Sequence, residues 1–420
     1  MQLRTPKRYT KGHKRSIISL RRLWLWILTP LLVYGGLQVY QNRDTLGPPV
    51  QDFVADIVAD AQSGIATAIA PTPLPTQDPA ERIAIANDAW QRGAMQEAVA
   101  DYASITNLAP NDVLVHYRWT LGLIMNGQLD AALDAAERTV TADPFSSDAW
   151  AIRAMALDWN GHAGEAIASA QHALELDPQN PRALAFLAEA YLDAGQPDRA
   201  LQTVEQALEI DPDSFEAYRV RGLIRQTAQF DFEGAREDYL TAYELAPHIS
   251  YPAIDLARIE FSLQNIDDAI ATLTNVIELN PENAEALFWM SVFQYSGKGD
   301  PNQASDFASR CVAANPDSIA CNYYLGRIQI GLEQYALAAD SLDKAIELGT
   351  TNPIHFWWAG QAQLSLGNCP AAVNYLNTGY RIARENEQAN LYSDFEDLLR
   401  ECQAFGGVRP TATPAAEADV

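Results

Sequence analysis

Little in this sequence is equipped for covalent chemistry. Its 420 residues include four cysteines, Cys311, Cys321, Cys369 and Cys402, and six scattered histidines. No C-x-x-C spacing occurs, and no histidine lies close enough to a cysteine to suggest a zinc site. G-x-G-x-x-G, G-x-x-x-x-G-K-[ST], H-E-x-x-H and G-x-S-x-G are absent. Nucleotide loops, zinc-protease helices and nucleophile elbows are therefore not expected. Alternating Val/Ile runs are few and alanine is abundant, which argues against sheet and for helix. Basic residues are scarce beyond position 22. Eight of the 29 Lys and Arg stand in residues 1–22 with no acid, so the remainder carries 21 basic against 54 acidic side chains, a formal −33. Such a body repels phosphate backbones and makes nucleic acid an unsuitable partner. The expectation is no enzyme, no cofactor and no metal.

One long uncharged run is present. Leu23 to Tyr40 reads LWLWILTPLLVYGGLQVY. As a helix its 18 residues would span about 27 Å at about 1.5 Å per residue, near the ~30 Å of a bilayer's hydrocarbon core. Trp24, Trp26, Tyr34 and Tyr40 suit the interfaces, and Pro30 with Gly35-Gly36 is tolerated in lipid. Arg21-Arg22 before the run and only Arg43 with Asp44 after it put residues 1–22 in the cytoplasm and the rest outside. A cleaved signal would need a shorter apolar region and a small-x-small site, which Gln38, Val39 and Tyr40 do not supply. A buried soluble helix would need an amphipathic surrounding that is missing. The reading is a transmembrane helix over 23–40.

Residues 41–78 form a juxtamembrane segment. Val50, Phe53, Val54, Ile57 and Val58 suggest a short amphipathic helix, followed by the extended spacer Pro71-Thr72-Pro73-Leu74-Pro75-Thr76. Residues 406–420 have the composition of a disordered tail.

Between these lies a fixed period. Pro110, Pro144, Pro178, Pro212, Pro247, Pro281 and Pro316 recur every 34 or 35 residues, each ending one helix before the next begins. Ala98, Ala132, Ala166, Ala200, Ala235, Ala269, Ala304, Ala338 and Ala372 keep the same beat. A third ladder of small residues lies 12 or 13 positions earlier, at Ala86, Thr120, Ala154, Ala188, Gly222, Ala257, Ser291, Gly326 and Gly360. Closely crossing helices need small side chains where they touch, so the two ladders mark one crossing per helix pair. Gly93, Gly127, Gly161, Gly195 and Gly367 stand in the turn between them. The two 35-residue units carry their extra residue between the ladders, in the expected turn.

This pattern of small residue, alanine and proline resembles the tetratricopeptide repeat family over roughly Pro79 to Gln388. Departures are Thr350 in place of a proline, with Pro353 following, and a ninth unit without its terminal proline. The early aromatic is present as Trp150 and Tyr218 but is Leu184 and Ala253 elsewhere. The resemblance implies an all-α solenoid, a right-handed superhelix of about nine helix pairs over 79–387, in which each pair buries its apolar stripe on the next. Residues 388–405 supply an amphipathic capping helix through Leu391, Tyr392, Phe395, Leu398 and Leu399.

The resemblance also implies that the first helix of each pair lines a concave surface. Carried over position by position, this selects Trp90, Tyr117, Arg219, Tyr251, Arg258, Phe261, Phe288, Tyr295, Tyr323, Arg327 and Trp357. Aromatics and arginines are the residues of binding hot spots, and Arg can hold a carboxylate with two bonds. The stretch from Arg219 to Trp357 is the candidate groove for an extended peptide with an acidic or C-terminal carboxylate group. The family's paired Lys and Asn clamp is not reproduced; Asn87 alone matches it. Cys311 and Cys321 fall on consecutive helices and are candidates for a disulfide, as are Cys369 and Cys402 at the cap, given an oxidising compartment. The expected function is a membrane-anchored, extracytoplasmic scaffold that binds a protein or peptide. A carbohydrate-binding or envelope-biogenesis accessory to a separate enzyme is the alternative.

Overall fold

The computed structural model describes residues 78–404, together with Tyr34 and Leu37. Those two are helical and exposed. The basic tail, the rest of the 23–40 run, the spacer to residue 77 and the end from 405 lie outside the described residues. Among the described residues there is no strand, and no helix is long and apolar enough to cross a membrane.

Residues 79–404 form nineteen α-helices. The first pairs are α1 (Pro79–Gln91) with α2 (Met95–Ile105), α3 (Val113–Met125) with α4 (Leu129–Ala142), and α5 (Ser147–Trp159) with α6 (Ala163–Leu176). The middle pairs are α7 (Pro181–Asp193) with α8 (Pro197–Ile210), α9 (Phe215–Ile224) with α10 (Phe232–Leu245), and α11 (Ser250–Ser262) with α12 (Ile266–Leu279). The last are α13 (Ala284–Val292) with α14 (Pro301–Ala314), α15 (Ile319–Gly331) with α16 (Tyr335–Glu347), and α17 (Pro353–Ser365) with α18 (Cys369–Glu385), followed by α19 (Tyr392–Ala404). Each helix packs on its neighbours in sequence, giving an α-solenoid.

The proline ladder works through the residue before it. Asp143, Asp177 and Asp211 are all extended where the helix ends, because the following proline ring excludes helical backbone there. The next helix starts about three residues later on a side-chain cap, as with Asn180 accepting from the Arg182 and Ala183 amides and Ser214 from Ala217. Where Thr350 replaces the proline, its hydroxyl accepts from the Asn352 amide and meets His355 Nδ1 at 2.9 Å, so a side chain shapes that turn instead.

Both small-residue ladders are buried along their whole length. At Gly326 an added Cβ would meet Leu342 Cγ at 2.6 Å and the Ala338 carbonyl oxygen at 3.1 Å; at Gly222 it would meet the Ala235 carbonyl oxygen at 3.2 Å. The two ladders thus face each other at one crossing in each pair. The extra residues of the 35-residue units do not enlarge the turn. They are wound into π-helical turns, Arg225–Gln229 and Phe293–Lys298, that extend α9 and α13. A π-turn is a one-residue insertion that keeps the helix hydrogen-bonded. Phe230 and Gly299, which follow, take the left-handed conformation.

The first turn of the coil closes on itself. A Cβ on Gly93 would lie 3.2 Å from Leu279 Cβ. Asn280 donates to Asn126 across 3.4 Å, and the Trp90 ring meets His248 at 6.3 Å between centroids. Trp90, Tyr117, Arg182 and His248 line an inner cavity of about 260 Å³. At the other end, Phe395, Leu398, Leu399 and Cys402 of α19 bury against Leu364, Cys369 and Leu376.

Candidate functional site

Side chains from the first helices of successive pairs meet in two clusters. The central one is built by α5, α7, α9, α11 and α13. Arg219 is 7% exposed. Its Nη1 donates to Glu189 Oε1 and its Nε to Asp255 Oδ2, each at 2.7 Å. The guanidinium lies between the rings of Trp159 and Tyr251, 5.2 and 5.0 Å from their centroids. Arg258 donates to the other oxygen of Asp255 at 3.2 Å and covers Trp289. These two arginines are therefore paired with carboxylates of the chain itself.

Beside them opens a pocket of about 350 Å³ lined by Asp158, Trp159, Glu189, Asp193, Tyr251 and Glu285, with Arg219, Asp255 and Arg258. Asp158 is 5% exposed, and neither carboxylate oxygen has a hydrogen-bond partner. Burial, then the charges of Glu189 and Asp193, push its carboxyl up to about 8, and Arg219 only partly opposes them. The Trp159 Nε1 and the Tyr251 hydroxyl are also buried without partners. Asp193 is raised as well, by burial and then by Glu189.

The second cluster spans α13 to α17. Arg327 stands over Tyr295, Tyr324 and Trp358 at 5.8, 5.5 and 5.5 Å. Among the described residues no carboxylate forms an ion pair with it, and its Nε is unpartnered. Tyr323 stacks on His355 at 3.9 Å. Burial drives that imidazole down to about 4, so it is neutral at physiological pH. Phe288 meets Tyr324 edge-on at 5.6 Å, and Phe261 stacks on Phe293 at 4.5 Å.

Of the residues selected from sequence, Arg219, Tyr251 and Arg258 meet at the central pocket, Phe288, Tyr295, Tyr323 and Arg327 meet in the second cluster, and Phe261 of α11 stacks on Phe293 of α13's π-helical extension. Trp357 lies at the edge of the second cluster, its ring meeting Trp358 at 4.9 Å and its Nε1 donating to the Asp394 carbonyl of α19. Trp90 and Tyr117 are filled in by the closure of the coil. Asn87 accepts from Tyr102 at 2.7 Å and from Arg118. Asp158, Glu189 and Asp193 were not selected. Their signal was present, since Asp158 and Glu189 are single acids inside the apolar runs MALDW and AFLAEAYL.

Cys311 and Cys321 are joined as a disulfide, with Cα atoms 5.6 Å apart. Cys369 and Cys402 are unjoined and buried, the Cys402 Sγ lying 3.9 Å from the Cys369 carbonyl oxygen. No group of three or more His, Cys, Asp or Glu among the described residues is placed to hold a metal ion.

Comparison with known proteins follows the same lines. Two family models described as tetratricopeptide repeat match residues 121–181 and 160–224, and one described as anaphase-promoting complex, cyclosome, subunit 3 matches residues 262–345. No curated protein sequence matches the chain. Among solved structures it is similar to a chain of the APC/C hetero-tetramer Cut9-Hcn1, with a TM-score of 0.58 and 17% identity, covering 73% of this chain and 58% of that one. It also aligns with pilF of Pseudomonas aeruginosa, with a TM-score of 0.46 and 18% identity, covering 52% of this chain and 96% of that one. At 17% identity the likeness to the Cut9-Hcn1 chain is one of fold.

Proposed function

We propose that this chain, parts of which match tetratricopeptide repeat models, is a protein-interaction scaffold whose partner docks along α13 to α17. The observation that carries this reading is Arg327, a guanidinium held over three aromatic rings with no carboxylate ion pair among the described residues. Binding hot spots are built from such residues, and a guanidinium can hold a carboxylate with two bonds. The partner group that suits it is a carboxylate, from an acidic side chain or a chain terminus. Arg219 and Arg258 do not share this role, since their charges are spent on Glu189 and Asp255.

The scaffold is anchored by residues 23–40, with the N-terminus in the cytoplasm and the repeats outside. The uncharged run and the Arg21-Arg22 flank support that arrangement, and the Cys311–Cys321 bridge suits an oxidising compartment. It acts without catalysis of its own.

The test is photo-crosslinking in intact membranes from a reactive residue placed at position 288, followed by identification of the partner. A discrete adduct should form and should fall at least tenfold in an Arg327→Ala background. An adduct of unchanged yield in that background, or none at all, would remove the docking face.

A further inference from the structure

The pocket beside Arg219 has no part in the docking face just described, and its chemistry is of the opposite sign. Five carboxyl groups, of Asp158, Glu189, Asp193, Asp255 and Glu285, line it against the two guanidiniums of Arg219 and Arg258. Glu189 and Asp255 are taken by Arg219, and Asp255 is shared with Arg258. Asp158, Asp193 and Glu285 are left over, and both oxygens of Asp158 are buried without a partner. A buried carboxyl group with two unpartnered oxygens is costly to keep, and Asp158 is among the residues lining a space of about 350 Å³, within the range of ligand pockets, which begin at about 300 Å³.

The other unmatched groups narrow the occupant further. Trp159 Nε1 can only donate, and the Tyr251 hydroxyl can donate or accept. A bare cation would satisfy Asp158 and leave the indole N–H unmatched, and no metal-holding group is present among the described residues. A segment bearing both a cationic N–H group and a carbonyl oxygen satisfies all three. A peptide with a basic side chain has both.

We propose that this pocket binds a lysine or arginine side chain carried on an extended peptide of the partner, with Asp158 accepting from the cationic nitrogen and Trp159 donating to a backbone carbonyl. The proposal rests on the reading of the array as a protein-interaction scaffold and adds a basic determinant to the acidic one expected at Arg327. The charge of the body, a formal −33 beyond residue 22, favours the approach of such a segment. Occupation also has a proton cost. Asp158 empty holds its proton to about 8, so a cation arriving at neutral pH displaces it, and binding releases a proton to the buffer.

The experiment titrates the full-length protein with acetyl-Ala-Ala-Lys-Ala-Ala-amide, its Arg and Gln counterparts, and spermidine, by calorimetry in two buffers of different ionisation enthalpy at pH 7. The Lys or Arg peptide should bind at least tenfold tighter than the Gln peptide and release close to one proton. Asp158→Asn should bring the Lys and Gln peptides within twofold and abolish the proton release. Asp193→Asn, on the pocket lining and exposed, should lower the preference about threefold, and serves if Asp158→Asn does not fold. Asp340→Asn, exposed on α16, should change nothing. Equal binding of the Lys, Arg and Gln peptides, survival of the preference in both pocket variants, or spermidine binding tighter than either basic peptide would overturn the proposal. If it falls while the Arg327-dependent adduct forms, the scaffold stands without this pocket. If no adduct forms yet the basic peptides bind, the pocket stands and the docking face does not.

Discussion

Replacing Asp158 by asparagine should make the protein more stable, and by an amount that grows with pH. The unfolded carboxyl titrates near 3.8 and the folded one near 8. Between those values the folded chain holds a proton that the unfolded chain has lost, so the wild type loses stability as pH rises, until the loss is complete above 8. At about 1.4 kcal/mol per pH unit, that interval sets a ceiling of about 6 kcal/mol. Relaxation of the surrounding dipoles relieves part of it, and about 2–3 kcal/mol is expected. Asparagine carries no charge and keeps the shape, so its stability should not follow this course. The groups facing Asp158, namely Glu189 and Asp193 on α7, Arg219 on α9, Tyr251, Asp255 and Arg258 on α11 and Glu285 on α13, are common to both proteins and largely cancel. Urea unfolding read by tryptophan fluorescence from pH 5 to pH 9 gives the difference directly. It should be smallest at pH 5, widen to pH 8 and then stay level. A difference independent of pH, or one that narrows as pH rises, would refute the reasoning.

Arg219→Met removes the partner of two carboxylates in the interior and should cost about 3–5 kcal/mol by chemical denaturation; a loss below about 1 kcal/mol would mean that Glu189 and Asp255 are not held by it. Gly326→Ala puts a Cβ 2.6 Å from Leu342 Cγ and should cost about 1–3 kcal/mol through overpacking. Gly127→Ala meets no atom within 4 Å and should cost about 1–2 kcal/mol through its backbone φ of +70° alone. Thiol titration without reductant should find two reactive groups in the unfolded protein and none in the folded one, since Cys369 and Cys402 are buried and burial pushes the Cys402 thiol up to about 12. Four thiols on unfolding would remove the Cys311–Cys321 bridge.

The repeats were legible because close helix crossings tolerate few residue types. Gly326 and Ala338, twelve positions apart, meet backbone against side chain, so composition there is dictated locally and repeats with the period. The 35-residue units were legible as insertions but not in their placement. A turn and a π-helical turn both absorb one residue, and no residue type in Arg225–Gln229 marks the second choice. The candidate groove was legible only in part. Position within a helix identifies Arg219 as inward-facing, but its neutralisation depends on Glu189 and Asp255, 30 residues before it and 36 after. Likewise Trp90 and Tyr117 are withdrawn from the groove by His248 and its neighbours, whose approach depends on the pitch of the whole coil. Small angles at each crossing set that pitch, and a sequence pattern does not carry them.

The contacts of Gly93 with Leu279 and of Asn126 with Asn280 change how load travels through the chain. In an open stack, each pair leans only on the next, and a pull at one end unpeels the units in order. Here the first two pairs are also seated on the sixth, so tension entering at α1 is passed to α12 in parallel with the path through α2. The opening coil is therefore braced across its turn by these contacts.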